Sequence, residues 1–268
     1  MKWMFLFVVF LVSLPTHSAT QKYIRYMFNG EQNYGSLEGN IIKPIQGDIF
    51  GDFSVIDDEL NIDDVEVLLP TVPEKVFAVG MNFASHLSSP SNQPPPLFLK
   101  LPSSLLLSGK DLTLPLDARN VHFEGELVLV IGKVAKNISE AEAKEVIFGV
   151  TVGNDITERS WQGQDLQWMR AKAADNFGPI AATITRGVDY ENVLLTTRLN
   201  NKIVQQENTR NMIHSTSKVV SYLSKYFTLK PGDLIFMGTP GRTQALSDGD
   251  VVSVTIDGVD TVENVIRY

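Results

Sequence analysis

Cysteine is absent from the 268-residue chain, which excludes disulfides, thiolate nucleophiles and Cys-ligated zinc. Histidine is scarce. Four are present, His17, His86, His122 and His214, too few and too scattered to read as a zinc site. Positive charge is also in deficit: the formal net charge is −8, which argues against nucleic acid or an anionic membrane as the main partner. No G-x-S-x-G elbow, Walker loop, G-x-G-x-x-G after a strand or H-E-x-x-H occurs, so the common serine hydrolase, NTPase, dehydrogenase and zincin readings fall away. The long apolar stretch Trp3–Leu14 is too short to span a bilayer comfortably, and no stable membrane anchor is expected.

That stretch follows one lysine and precedes small residues, the layout of a secretory signal peptide over residues 1–19. Cleavage after Ala19 is expected, with Ser18 the alternative, and export to the periplasm follows. A non-functional signal would leave the chain cytoplasmic. The whole chain is 43% hydrophobic, enough for a sizeable core. Residues 20–70 read as a small β-rich N-terminal unit, with Asn29-Gly30 a hairpin signal and Pro70 a boundary. Residues 71–268 form the larger unit. Its strand patterns include residues 75–81, 127–131 and 150–155, and Asp257-Gly258 marks a second hairpin. Ser139 to Glu142 is a capping box opening a short helix that Gly149 closes, and apolar spacing predicts a helix over 211–227. The chain is therefore α+β and β-rich, not a doubly wound sheet.

Carboxylate is what the sequence has in strength. In HFEGELVLVIG, Glu124 and Glu126 stand two apart at the mouth of an apolar strand, so both point to one face. Unpaired, they would repel each other and lose solvation. A divalent cation removes both difficulties, and hard oxygen ligands suit Mg²⁺ or Mn²⁺. Asp155, at the polar end of VTVGND, is the expected third ligand from a neighbouring strand. On spacing alone, the same pattern also suits the exposed polar face of an amphipathic strand.

HFEGELVLVIG, GVTVGNDITERS, DLQWMRAKAADNFGPI and LKPGDLIFMGTPG, in this order, resemble the successive signatures of the fumarylacetoacetate hydrolase family, including its bacterial isomerase-like and acylpyruvase-like members. The resemblance runs from about Val76 to Tyr268. It implies a mixed β-sandwich roll of the fumarylacetoacetase C-terminal type, usually dimeric, around a Mg²⁺ or Mn²⁺ site. The substrates implied are small 2-oxo or enol mono- and dicarboxylates. Carried over by motif, Glu124, Glu126 and Asp155 become the metal ligands. Lys172 matches the family's active-site lysine, a point charge for an enolate or carboxylate, and His86 matches its general base. Arg159, Gln162, Gly238 and Thr239 match its substrate-binding positions, and His122 is read as a structural neighbour of the ligands. One position departs: many hydrolytic members carry Glu three residues after the histidine, where this chain has Ser89. Serine cannot polarise an imidazole as a carboxylate does. Isomerisation or tautomerisation through a metal-stabilised enolate is therefore expected. Hydrolysis of the C–C bond of acylpyruvate-type substrates, or a carboxylate-binding protein that has lost catalysis, are the alternatives.

Overall fold

The computed structural model describes residues 20–86 and 93–268, so the expected signal segment and Ser89 lie outside the described residues. Strands dominate, in sheets of 14, five and two strands, with short helices outside them. The fold is α+β and β-rich, as the strand patterns predict.

Residues 127–131 explain the centre of the large sheet. Their strand, Gly125–Ile131, is buried throughout and has a neighbour on each edge. Ile147–Asn154 pairs antiparallel on one side, with Leu127 opposite Val152, and Leu234–Phe236 on the other, with Leu129 opposite Ile235. Leu127, Leu129 and Ile131 pack in one core with Phe77, Val219 and Leu223, while Val128 and Val130 pack with Val76, Ala78 and Phe236 in another. A strand covered on both faces reads as a continuous apolar run, not as alternation. Beyond Leu234–Phe236 the sheet continues through Val76–Val79 to Leu97–Lys100.

In the other direction Thr183–Arg186 pairs with Gln21–Phe28, so the N-terminal strands extend the same sheet. Asn29 and Gly30 turn with φ of 51° and 80°, the positive values a tight two-residue hairpin needs. Asp257 and Gly258 likewise lie in the loop between the paired strands Val251–Ile256 and Asp260–Arg267.

Those two strands belong to the five-stranded sheet, whose Leu195, Val254, Ile256 and Val262 share the core of Leu127 and Leu129. The two sheets are thus layers over one core. They approach closely at Gly125, where a Cβ would come 2.3 Å from Thr197 Oγ1 and 2.8 Å from Val254 Cγ1.

The capping box forms: the Glu142 amide donates to Ser139 Oγ, and the Ser139 amide donates to Glu142 Oε2 at 2.8 Å. Its helix, Glu140–Val146, ends before Gly149, which lies inside the following strand. A Cβ there would meet the Thr185 carbonyl oxygen at 2.7 Å, so close strand approach, not helix termination, calls for glycine. The other helix expected from the sequence, Thr216–Tyr226, begins later than its apolar pattern because Ser215 caps it, accepting from the Lys218 amide at 3.2 Å.

Gly125→Ala should lower stability by about 1–3 kcal/mol, the usual cost of overpacking, because the colliding atoms sit on stiff β-branched side chains. Urea denaturation of the variant against the parent protein checks this.

Candidate active site

Register brings the carboxylates together. Gly125 pairs with Asn154, so Glu124 and Asp155 leave the ends of adjacent antiparallel strands side by side. Two hydrogen bonds fix them: the Asp155 amide donates to the Glu124 carbonyl at 2.8 Å, and the Glu124 amide donates to Asn154 Oδ1 at 2.8 Å. Glu126, two residues on, accepts from the Gly238 amide through Oε2 at 2.6 Å. Gly238 has φ of +92°, and a Cβ there would lie 2.7 Å from Asn82 Cβ, so no side chain fits this cradle. One carboxylate oxygen from each of Glu124, Glu126 and Asp155 lies within 4.8 Å of the others, and exposures are 5%, 1% and 0%.

Buried charge of this density requires compensation. Lys172, on the helix Met169–Ala173, donates to Glu124 Oε2 and to Asp155 Oδ2, each at 2.6 Å. Arg159 reaches Glu124 Oε1 at 2.5 Å, Gln162 Oε1 at 2.9 Å and Thr243 Oγ1 at 3.0 Å. Its direction is set by Glu158, which accepts from the Asn120 amide at 2.8 Å and caps the short helix Arg159–Gln162 through the Trp161 amide. Lys100 approaches from the edge strand to Asp155 Oδ1 at 2.6 Å, and also donates to the Lys172 carbonyl.

These neighbours set the protonation states. Burial alone would raise Glu124, but Lys172 and Arg159 outweigh it and hold the carboxyl at about 2. Burial, then the Asp155 and Glu124 carboxylates, push Glu126 well above the ordinary carboxylate range. Lys172 is raised: burial opposes its charge, and Asp155 and Glu124 prevail. Lys100 is lowered by burial, with Asp155 opposing and Lys172 adding repulsion. Among the described residues, Glu126 forms no ion pair, and burial with its acidic neighbours disfavours its anion, which a bound cation would relieve. Three buried oxygen donors, one of them uncompensated, fit a hard divalent cation.

Glu124 and Glu126 line a small cavity of about 40 Å³ together with His86, Arg159, Gln162, Lys172 and Thr239. Asp155 is fully buried and does not line it. The Gly238 amide is taken up by Glu126, so that glycine positions a carboxylate, while Thr239 presents its hydroxyl. Gln205 steadies the turn, donating to Thr239 Oγ1 at 2.9 Å and to the Pro240 carbonyl at 2.5 Å. His86 Nδ1 lies 2.6 Å from the Gly241 carbonyl oxygen. A carbonyl only accepts, so the ring proton is on Nδ1 and Nε2 is left to accept one. Ser85 beside it donates to Glu207 and accepts from the Gly241 amide at 3.0 Å. His122 bonds Thr243 and Asn120, each at 2.9 Å, outside the carboxylate cluster. Burial, then Arg159, lower its pKa.

Lys100, Glu158 and Gln205 were not legible as site residues in the sequence. The available signal for Lys100 was period two: in the strand Leu97–Lys100 it shares a face with Phe98, which lines the cavity.

Family models described as "Fumarylacetoacetate (FAA) hydrolase C-terminal" and "Rv2993c-like, N-terminal" match residues 75–267 and 21–70. A protein of Archaeoglobus fulgidus is 38% identical over 245 residues, 90% of this chain and 94% of its own. The Xenopus laevis mitochondrial oxaloacetate tautomerase fahd2 is 34% identical, over 76% of this chain and 69% of its own. Among solved structures, the 2-hydroxyhepta-2,4-diene-1,7-dioate isomerase from Mycobacterium marinum superimposes with a TM-score of 0.86 at 34% identity, covering 92% of this chain and 98% of that one. The fumarylpyruvate hydrolase from Pseudomonas aeruginosa, in complex with Mn²⁺ and pyruvate, gives 0.69 at 28% identity, covering 79% and 92%.

Glu126→Gln should uncouple stability from metal. A carboxyl raised above its ordinary 4.5 loses folded-state stability as pH climbs from that value toward the folded one, and glutamine removes the loss. With chelator at neutral pH the variant should melt at or above the parent protein. In the parent, Mn²⁺ at about 100 times its Kd should add about 2.7 kcal/mol, a rise of roughly 5–10 °C. The variant should lose that rise, as thermal scans with Mn²⁺ and with chelator would show.

Proposed function

The chain belongs to the fumarylacetoacetate hydrolase C-terminal family, and from that premise we propose a divalent-metal-dependent enzyme that isomerises or tautomerises 2-oxo and enol carboxylic acids. Charge balance carries the reading. With all three carboxylates ionised, as a bound cation would make them, Glu124, Glu126 and Asp155 are offset by Lys100, Arg159 and Lys172 when these are protonated. A divalent cation leaves a surplus of two positive charges, which matches the carboxylate plus enolate oxygen of an ionised 2-oxo monoacid. When bound, Mg²⁺ or Mn²⁺ supplies Lewis-acid stabilisation of the negative charge that develops on such a substrate. The Mn²⁺ and pyruvate in the Pseudomonas aeruginosa hydrolase support this substrate class.

The chain's own residues do the rest. Lys172, kept protonated and held by two carboxylates, offers a fixed positive charge beside the cavity. Thr239 and Arg159 offer donors to a substrate carboxylate. His86 Nε2 takes the proton that leaves carbon or the enol oxygen and returns it at the new position. Its Nδ1 partner is a neutral carbonyl, and by the family resemblance Ser89 stands where many hydrolytic and decarboxylating members carry Glu. Both observations favour moving a proton over activating water, and so favour isomerisation over C–C hydrolysis. The signal-like N-terminus supports an exported enzyme, and the family resemblance supports a homodimer.

The test follows enol absorbance in the ultraviolet with oxaloacetate, acylpyruvates and hydroxymuconate-type diacids, each with Mn²⁺ or Mg²⁺ and with chelator. Metal-dependent keto–enol or positional conversion without cleavage products is expected. C–C cleavage products would shift the assignment to hydrolysis, and metal-dependent binding without turnover would shift it to a binding protein. His86→Ala should lower kcat by about 10²–10⁴ while keeping the Mn²⁺ rise in melting temperature. Glu126→Ala should lose both. Mass spectrometry of the periplasmic protein should find a mature chain starting at Thr20 or Ala19.

A further inference from the structure

A second cavity adjoins the carboxylate site and has the opposite chemistry. It measures about 550 Å³, within the range of small-molecule pockets, and shares Phe98 and Trp168 with the site cavity. Beyond those rings its walls are aliphatic, chiefly Leu99, Leu101, Leu166 and Met169, with Gln167 as the polar side chain. Leu166 and Met169 are 95% and 66% exposed, an arrangement costly to leave facing water without a use. The shared rings are well fixed: Phe98 and Trp168 meet edge to face at 5.6 Å, and Trp168 holds φ at 58°, a left-handed conformation unusual for a non-glycine residue.

No cationic side chain lines this cavity among the described residues. The chain carries no charged residue from 87 to 99, so the segment between His86 and Lys100 cannot supply one either. Arg170, on the helix that bears Met169, is turned to Asp165 through three contacts of 2.8–3.1 Å and lies over the Trp161 ring. A second carboxylate reaching this space would meet aliphatic walls with no cation to pair it. It would also add a third negative charge to a metal-loaded site balanced for two.

We propose that the cavity bounded by Leu99, Leu101, Leu166 and Met169 is a subsite for an apolar arm. The preferred substrate is then a 2-oxo monocarboxylate whose distal end is aromatic or aliphatic, not a dicarboxylate. The proposal rests on the 2-oxo acid reading above and adds the character of the far end.

Titration calorimetry of the Mn²⁺-loaded protein with acetylpyruvate, benzoylpyruvate and succinylpyruvate tests it. Benzoylpyruvate should bind at least tenfold more tightly than acetylpyruvate, and succinylpyruvate no better than acetylpyruvate. Leu166→Asp should erase most of the benzoyl advantage and leave acetylpyruvate unchanged. Met169→Arg should improve succinylpyruvate about tenfold. Equal binding of all three, or preference for succinylpyruvate in the parent protein, would overturn the subsite and leave the 2-oxo acid reading intact. Absence of metal-dependent binding of any of the three would overturn both. If Leu166→Asp converts a dimer to monomers by light scattering while the benzoyl-to-acetyl ratio stands, a second copy of the chain covers the cavity, and the subsite assignment fails.

Discussion

Three carboxylates buried within 4.8 Å of one another are the constraint on which the rest of this structure is arranged. Left to themselves they would repel, lose hydration and take up protons. The fold answers with cations brought from three separate places: Lys172 from a short helix, Arg159 from a capped turn, and Lys100 from an edge strand. Their distribution is uneven. Glu124 is held well below the ordinary carboxylate range, whereas Glu126, paired to no cation among the described residues, accepts from the Gly238 amide and is pushed well above it. The same unevenness that destabilises Glu126 as an anion makes the cluster receptive to a divalent cation.

Precision at the cluster comes from the layers around it. The strand that carries Glu126 is clamped between two neighbours in its sheet and pressed at Gly125 by Thr197 and Val254 of the second sheet. Gly238 performs the matching service from the far side, since only a glycine at positive φ can bring its amide to Glu126 past Asn82. Small residues therefore stand where backbones must approach, and the acidic side chains have little room to separate. His86 is fixed differently, through a loop carbonyl and the neighbouring Ser85–Glu207 contact. The carboxylate cluster and His86 thus belong to different parts of the fold.

Much of this was legible in the chain. The hairpins at Asn29-Gly30 and Asp257-Gly258, the Ser139 capping box and the buried strand after Glu126 all follow from local rules, because turn φ angles, caps and apolar runs are properties of neighbouring residues. Gly149 shows where such rules stop. A glycine just past a helix suits a C-cap, yet here the contact that demands it comes from Thr185, remote in sequence. Lys100 was missed for a related reason: a lysine ending a short strand looks solvated until the partner carboxylate, 55 residues away, is placed against it.

The sequence by itself determined the donor set. Without cysteine, and with few histidines, oxygen chemistry was left, and the spacing of Glu124 and Glu126 put two carboxylates on one face. Tertiary structure alone decided how that charge is balanced, which carboxyl is pushed down and which up, which histidine nitrogen is free, and that an uncharged cavity opens beside the site. Spacing along a strand is a local property of the backbone. Compensation of buried charge, and the shape and polarity of a cavity, are sums over residues that meet only when the sheets close.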